Sequence, residues 1–235
     1  MTKLIIAGDS WGCGSWSAPD AGMFDRGDDY LANKFCKVYS EVINLSIGGI
    51  SNLTIYSNLK NWLRHNPIGR FEEVKFLVIQ TDPVRDMILG INYWIEDDCS
   101  TIFEKISVSD YVNTSVELYY YNLNSLAKKY NIKINVSGGC SDVVGSIAKY
   151  SNLHVACSSV YQLLSSNHKL HAISCTFEIN KVIDKFTDSN AEILEAHYKK
   201  QEIQYELANN VFGWHNDNHL THKGIDLWFS RLYLI

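Results

Sequence analysis

The chain has 235 residues, 46% hydrophobic and 20% charged, enough to bury one large core and within the size range of an ordinary α/β domain. Its formal net charge of -5 gives no general electrostatic reason to bind nucleic acid or an anionic membrane. No stretch approaches the roughly 20 apolar residues that a membrane-spanning helix needs, so neither nucleic acid nor membrane is an expected partner.

In chain order, residues 3 to 7 form a short apolar run that breaks into Gly8-Asp9-Ser10-Trp11-Gly12. This reads as a strand ending in a tight turn that presents the Ser10 hydroxyl. Helical spacing follows over 28 to 38, then a β-branched run at 40 to 45, which leads into Asn44-Leu45-Ser46-Ile47-Gly48-Gly49-Ile50-Ser51-Asn52. The pattern next predicts a helix over 52 to 65, a strand over 74 to 80, a long helix over 109 to 130, and strands over 132 to 136 and 153 to 157. An amphipathic helix is expected over 190 to 209 on Ile193, Leu194, Ile203 and Leu207. A last one starts near Lys223 and ends the chain with Leu227, Trp228, Leu232 and Leu234.

Residues 91 to 108 and 158 to 188 fit no element and are expected as insertions over the active face of one domain spanning 1 to 235. Six cysteines without a CxxC pair, and an N-terminal apolar run cut short by Asp9, predict reduced thiols in a soluble cytoplasmic protein. Strands alternating with helices imply parallel pairing through right-handed crossovers, with ligands bound at the carboxyl ends of the strands. Ser10 stands at one of those ends.

Gly8-Asp9-Ser10-Trp11-Gly12 formally matches the nucleophile elbow of α/β-hydrolases, but that fold needs several strands before its serine and only one fits here. A serine nucleophile still needs a base. The polar segment Trp214-His215-Asn216-Asp217-Asn218-His219-Leu220-Thr221-His222-Lys223-Gly224 is the obvious source, holding three of the eight histidines. His215, Asp217, His219 and His222 also have the ligand types of a zinc site. Without a helix across Asn216 and Asn218 their spacing does not gather them on one face, so no metal is expected. The pair Gly48-Gly49 allows backbone N–H groups to approach an oxyanion closely, and Ser51 or Asn52 can cap the helix that follows.

Gly8-Asp9-Ser10, Gly49-Ile50-Ser51 and His219-Leu220-Thr221-His222-Lys223-Gly224 resemble, in order, three sequence blocks of the SGNH (GDSL-type) hydrolases. The resemblance implies a flavodoxin-like three-layer α/β/α sandwich around a mostly parallel five-stranded sheet. It also implies an esterase, lipase, thioesterase or carbohydrate deacetylase activity without a cofactor, on a small-molecule or carbohydrate ester. Ser10 would be the nucleophile, His219 the general base, and the backbone N–H groups of Ser10 and Gly49 oxyanion donors. Two positions depart from the family pattern. Where the family carries an aspartate three residues before the histidine, this chain has Asn216, with Asp217 one place later, so either residue is a candidate to orient the ring.

The family's third block donates to the oxyanion from an asparagine, and the matching stretch here reads Gln80-Thr81-Asp82-Pro83-Val84-Arg85. Thr81, Gln80 or Arg85 is then the candidate donor. Trp11, Arg85 and Trp214 are expected as substrate-binding residues, with Arg85 alternatively paired to Asp82 or Asp86. The opening also resembles hydrolase-like proteins of bacteriophages. With the changes at 216 and in the third block, that motivates an alternative: an SGNH-fold structural or binding protein, assembled into a larger particle such as a virion, with little or no catalysis.

Overall fold

Leu4, Ile5, Ile6 and Ala7 are each 1% exposed or less, as in a strand covered on both faces. In the computed structural model, which describes residues 2–14, 16–17, 24–25, 30–69, 72–81, 108–139, 143, 145–159 and 222–235, that strand is β1 (Thr2–Ala7). It is followed by a short antiparallel pair, β2 (Trp16–Ser17) and β3 (Phe24–Asp25), then α1 (Tyr30–Phe35), β4 (Glu41–Asn44) and α2 (Asn52–His65). The chain continues through β5 (Glu73–Gln80), α3 (Val108–Tyr130), β6 (Ile134–Gly138), a 3-10 helix at Gly145–Lys149, β7 (Leu153–Cys157) and α4 (His222–Arg231).

The five long strands form one parallel sheet in the order β4-β1-β5-β6-β7. This is the flavodoxin-like doubly wound order, in which the chain steps from β1 to one side and then crosses to the other. Alternate side chains feed two cores. Ile5, Ala7, Phe76, Val78, Ile134 and Val136 pack against Ile55, Leu59 and Leu63 of α2 and Val116, Tyr120 and Leu123 of α3. On the other face, Leu4, Ile6, Leu77 and Ile79 pack against Leu31 and Phe35 of α1 and Ile225 and Trp228 of α4. Three layers result, as the resemblance implied.

Element edges differ from expectation for identifiable reasons. The strand expected at 132 to 136 begins two residues later because Ile132 belongs to the cap of α3. Asn131 adopts φ 52, and Ile132 N–H donates to Ala127 O (2.9 Å) while Asn131 N–H donates to Lys128 O (3.2 Å). That is the Schellman pattern, in which the apolar residue after the cap packs back on the helix. The helix expected over 28 to 38 ends at Phe35, and Val38 is exposed.

The final helix stops at Arg231 rather than running to the end, because Asn135 captures the tail. Its Oδ1 accepts from Ile235 N–H (2.9 Å), and Tyr233 N–H reaches Ala156 O (3.3 Å). The β2–β3 pair and the 3-10 helix had no signal in the sequence pattern. The helix expected over 190 to 209, and the insertions expected at 91 to 108 and 158 to 188, lie wholly or almost wholly outside the described residues. No helix among the described residues is long and apolar enough to cross a membrane.

Candidate functional site

Ser10 lies in the turn that leaves the carboxyl end of β1, beside β5, where the direction of chain progression across the sheet reverses. In doubly wound sheets the crevice at that switch point is where ligands bind. Asp9 shapes the turn. Its Oδ1 accepts from Trp11 N–H (3.0 Å) and its backbone carbonyl accepts from Cys13 N–H (3.0 Å), an Asx turn closed around Ser10.

Glycines make the turn possible by absence of volume. A Cβ on Gly8 would stand 3.0 Å from Ile79 Cβ, and one on Gly12 would stand 2.4 Å from Ser46 Oγ. The loop after β4 is drawn against the same turn. Asn44 Nδ2 donates to Gly12 O (3.0 Å), Asn44 Oδ1 accepts from Ser46 N–H (3.1 Å), and Ile47 N–H donates to Gly8 O (3.1 Å). This puts Gly48 beside the serine, where an added Cβ would lie 3.9 Å from Ser10 Cβ. Gly49 follows with φ +79, a conformation that side-chain-bearing residues rarely adopt. Helix α2 then starts from Ser51, whose hydroxyl accepts from Thr54 N–H (3.3 Å).

Thr81, directly after β5, is tied in by polar side chains that are almost wholly buried. Thr81 Oγ1 donates to Asp9 Oδ2 (2.5 Å), and the Asn52 amide brackets the Thr81 backbone, donating to its carbonyl and accepting from its N–H, both at 3.0 Å. Behind it, Gln80 Oε1 accepts from Tyr120 OH (2.7 Å). The result is a hydrogen-bonded platform, made of the turn after β1, the loop after β4 and Thr81, around a serine that is 7% exposed.

Of the residues expected at the site, Ser10 and Thr81 are linked through Asp9, and Gly49 follows Gly48, which lies beside Ser10. The Thr81 hydroxyl hydrogen is directed at the Asp9 carboxylate. In this arrangement it braces the turn. Trp11 is a correction. It is only 4% exposed and packs edge-on against Trp228, with ring centroids 6.4 Å apart, so it is a core residue under the turn and not part of a substrate wall.

Asn52 was foreseen only as a helix cap; its clamp on Thr81 has no sequence signal, because the partner is 29 residues away. Arg85, Trp214, Asn216, Asp217 and His219 lie outside the described residues. Among the described residues no group of three or more His, Cys, Asp or Glu side chains is placed to hold a metal ion.

No family model matches the chain, and no curated protein matches it. Among solved structures it is similar to a member of the lipolytic protein G-D-S-L family from Veillonella parvula DSM 2008, at 14% identity and a TM-score of 0.41, over 98% of this chain and 96% of that one. It is also similar to TesA, at 13% identity and a TM-score of 0.37, over 78% of this chain and 94% of that one. Neither likeness is close enough to carry an activity to this chain.

Proposed function

We propose that the chain is a serine hydrolase of the SGNH type that cleaves an ester, of the esterase or carbohydrate O-deacetylase class, through an acyl-enzyme. The observation that carries this reading is the mounting of Ser10 on a braced turn at the switch point of the sheet, with Gly48 of a glycine pair 3.9 Å (as an added Cβ) from its own Cβ.

In this reading the Ser10 hydroxyl attacks the ester carbonyl while His219 takes its proton, and Asn216 or Asp217 orients the imidazole. The N–H groups of Ser10 and Gly49 receive the developing oxyanion; a single such donor is worth about 10²–10³ in turnover. Collapse breaks the bond to the alkoxide, which leaves with the proton from His219. Water, deprotonated by the same ring, then releases the acid and restores Ser10. Arg85 and Trp214 are the proposed contacts to the rest of the substrate.

The test is a fluorophosphonate probe with the adduct located by mass spectrometry, alongside turnover of acetyl esters. Labelling at Ser10 that disappears with turnover in Ser10→Ala is expected. A protein without adduct on Ser10, whose ester turnover survives Ser10→Ala, refutes the reading. A second reading is favoured by the Thr81 hydroxyl, which is engaged by Asp9, and by the amide at position 216: a weakly active or inactive SGNH-fold protein that binds or builds a larger particle. It requires that the protein copurify with that particle and that Ser10→Ala leave assembly intact.

A further inference from the structure

Thr81, the residue after β5, is bonded on one side to the turn that carries the candidate serine and on the other to the start of α2. Asn52, at the start of α2 and 1% exposed, holds Thr81 by both backbone groups. Thr81 in turn donates its hydroxyl to Asp9 Oδ2, and Asp9 Oδ1 accepts from Trp11 N–H. The chain of hydrogen bonds therefore ends on the residues immediately before and after Ser10, and Asp9 and Thr81 are both fully buried.

A primary amide offers a donor and an acceptor side by side, matching the C=O and N–H of a single residue at any pH. The geometry points to Asn52 as the positioning residue of the site: it fixes Thr81 at the end of β5, and through Thr81 and Asp9 it sets the direction in which Ser10 faces. The consequence for catalysis rests on the hydrolase reading; the latch itself does not.

Asn52→Asp is the discriminating variant. It keeps the shape and the acceptor, but as a carboxylate it has no hydrogen for Thr81 O and sets a negative oxygen against that carbonyl. As a neutral acid it again offers one donor and one acceptor. Burial and the Thr81 carbonyl, with the buried Asp9 further along the path, favour the protonated form over the pull of the Thr81 N–H and the N-terminus of α2 towards the carboxylate, so the pKa of the introduced carboxyl is raised above its unfolded value. The latch is intact below the unfolded pKa and is lost as pH rises through the folded one.

The measurements are amide hydrogen exchange over residues 8–14, corrected for the intrinsic pH dependence, and the rate of fluorophosphonate labelling at Ser10. At neutral pH the variant is expected to exchange faster in 8–14, to label about 10- to 100-fold more slowly, and to lose kcat with little change in KM. Acidification restores protection of the turn towards that of the wild type. Thr81→Val, which removes only the hydroxyl from the path, gives the same loosening, and Thr81→Ser rescues it.

Wild-type exchange in 8–14 for both Asn52→Asp and Thr81→Val, or a loosening in Asn52→Asp that acid does not reverse, overturns the latch. Loss of labelling in Thr81→Val with full labelling in Asn52→Asp also overturns it, and assigns Thr81 to the oxyanion directly. A wild type that never labels at Ser10, yet whose turn loosens reversibly in Asn52→Asp, fails the hydrolase reading and supports the latch.

Discussion

Gly12→Ala puts a methyl group where the structure has no room. The added Cβ would lie 2.4 Å from Ser46 Oγ and 3.0 Å from both Ser46 Cβ and Gly8 Cα. The backbone at Gly12 is not in the left-handed region, so the penalty is steric and not conformational. Overpacking of this kind costs about 1–3 kcal/mol, and at roughly 2–4 °C per kcal/mol for a chain of this size the midpoint of thermal unfolding falls by about 2–12 °C.

The closest clash is with a hydroxyl that is buried and has no hydrogen-bond partner among the described residues, so Ser46 can be trimmed without losing a bond. Gly12→Ala combined with Ser46→Gly is expected to recover part of the loss, the contact with Gly8 Cα being backbone that no second substitution relieves. Circular dichroism on heating gives the stability. Fluorophosphonate labelling reports the serine, which the displaced turn should slow. Gly12→Ala melting within about 1 °C of wild type, or a double variant less stable than the single one, would refute the packing of the turn against the loop after β4.

Asn135→Ala removes the donor to Phe76 O (2.9 Å) and the acceptor for Ile235 N–H (2.9 Å) from a fully buried position; a loss of about 1–3 kcal/mol is expected, with faster hydrogen exchange over 232–235, and unchanged exchange there refutes the capture of the tail. Glu72→Gln probes the cluster at the start of the sheet, where Lys3 Nζ lies 2.5 Å from Glu72 Oε1 and 3.0 Å from Glu41 Oε2. The hydrogen bond from Lys3, and then that from Gly69 N–H, hold the Glu72 carboxyl below its ordinary value. A lowered folded pKa contributes stability above the unfolded value that is lost as pH falls through the folded one. The gap in melting temperature between wild type and variant should therefore be small near neutrality and vanish on acidification; a gap independent of pH refutes the assignment.

Local periodicity determined the framework. The runs at Leu4–Ala7 and Phe76–Ile79 alternate between two cores, and the spacing of Ile55, Leu59 and Leu63 makes α2 amphipathic, so strands, helices and their parallel pairing were legible from local patterns along the chain. The turn carrying Ser10 was legible for the same reason: its glycines and Asx geometry are local. Tertiary structure decided what each polar or aromatic residue is for. Trp11 looks like a substrate contact until Trp228, from the last helix, closes over it. Thr81, Asn52 and Asn135 carry no sign in the sequence of hydrogen-bond partners 72, 29 and 100 residues away. Hydrophobic burial is encoded by spacing along the chain, whereas a hydrogen bond is fixed by the direction of two groups in space, and that direction exists only once the sheet has brought its loops together.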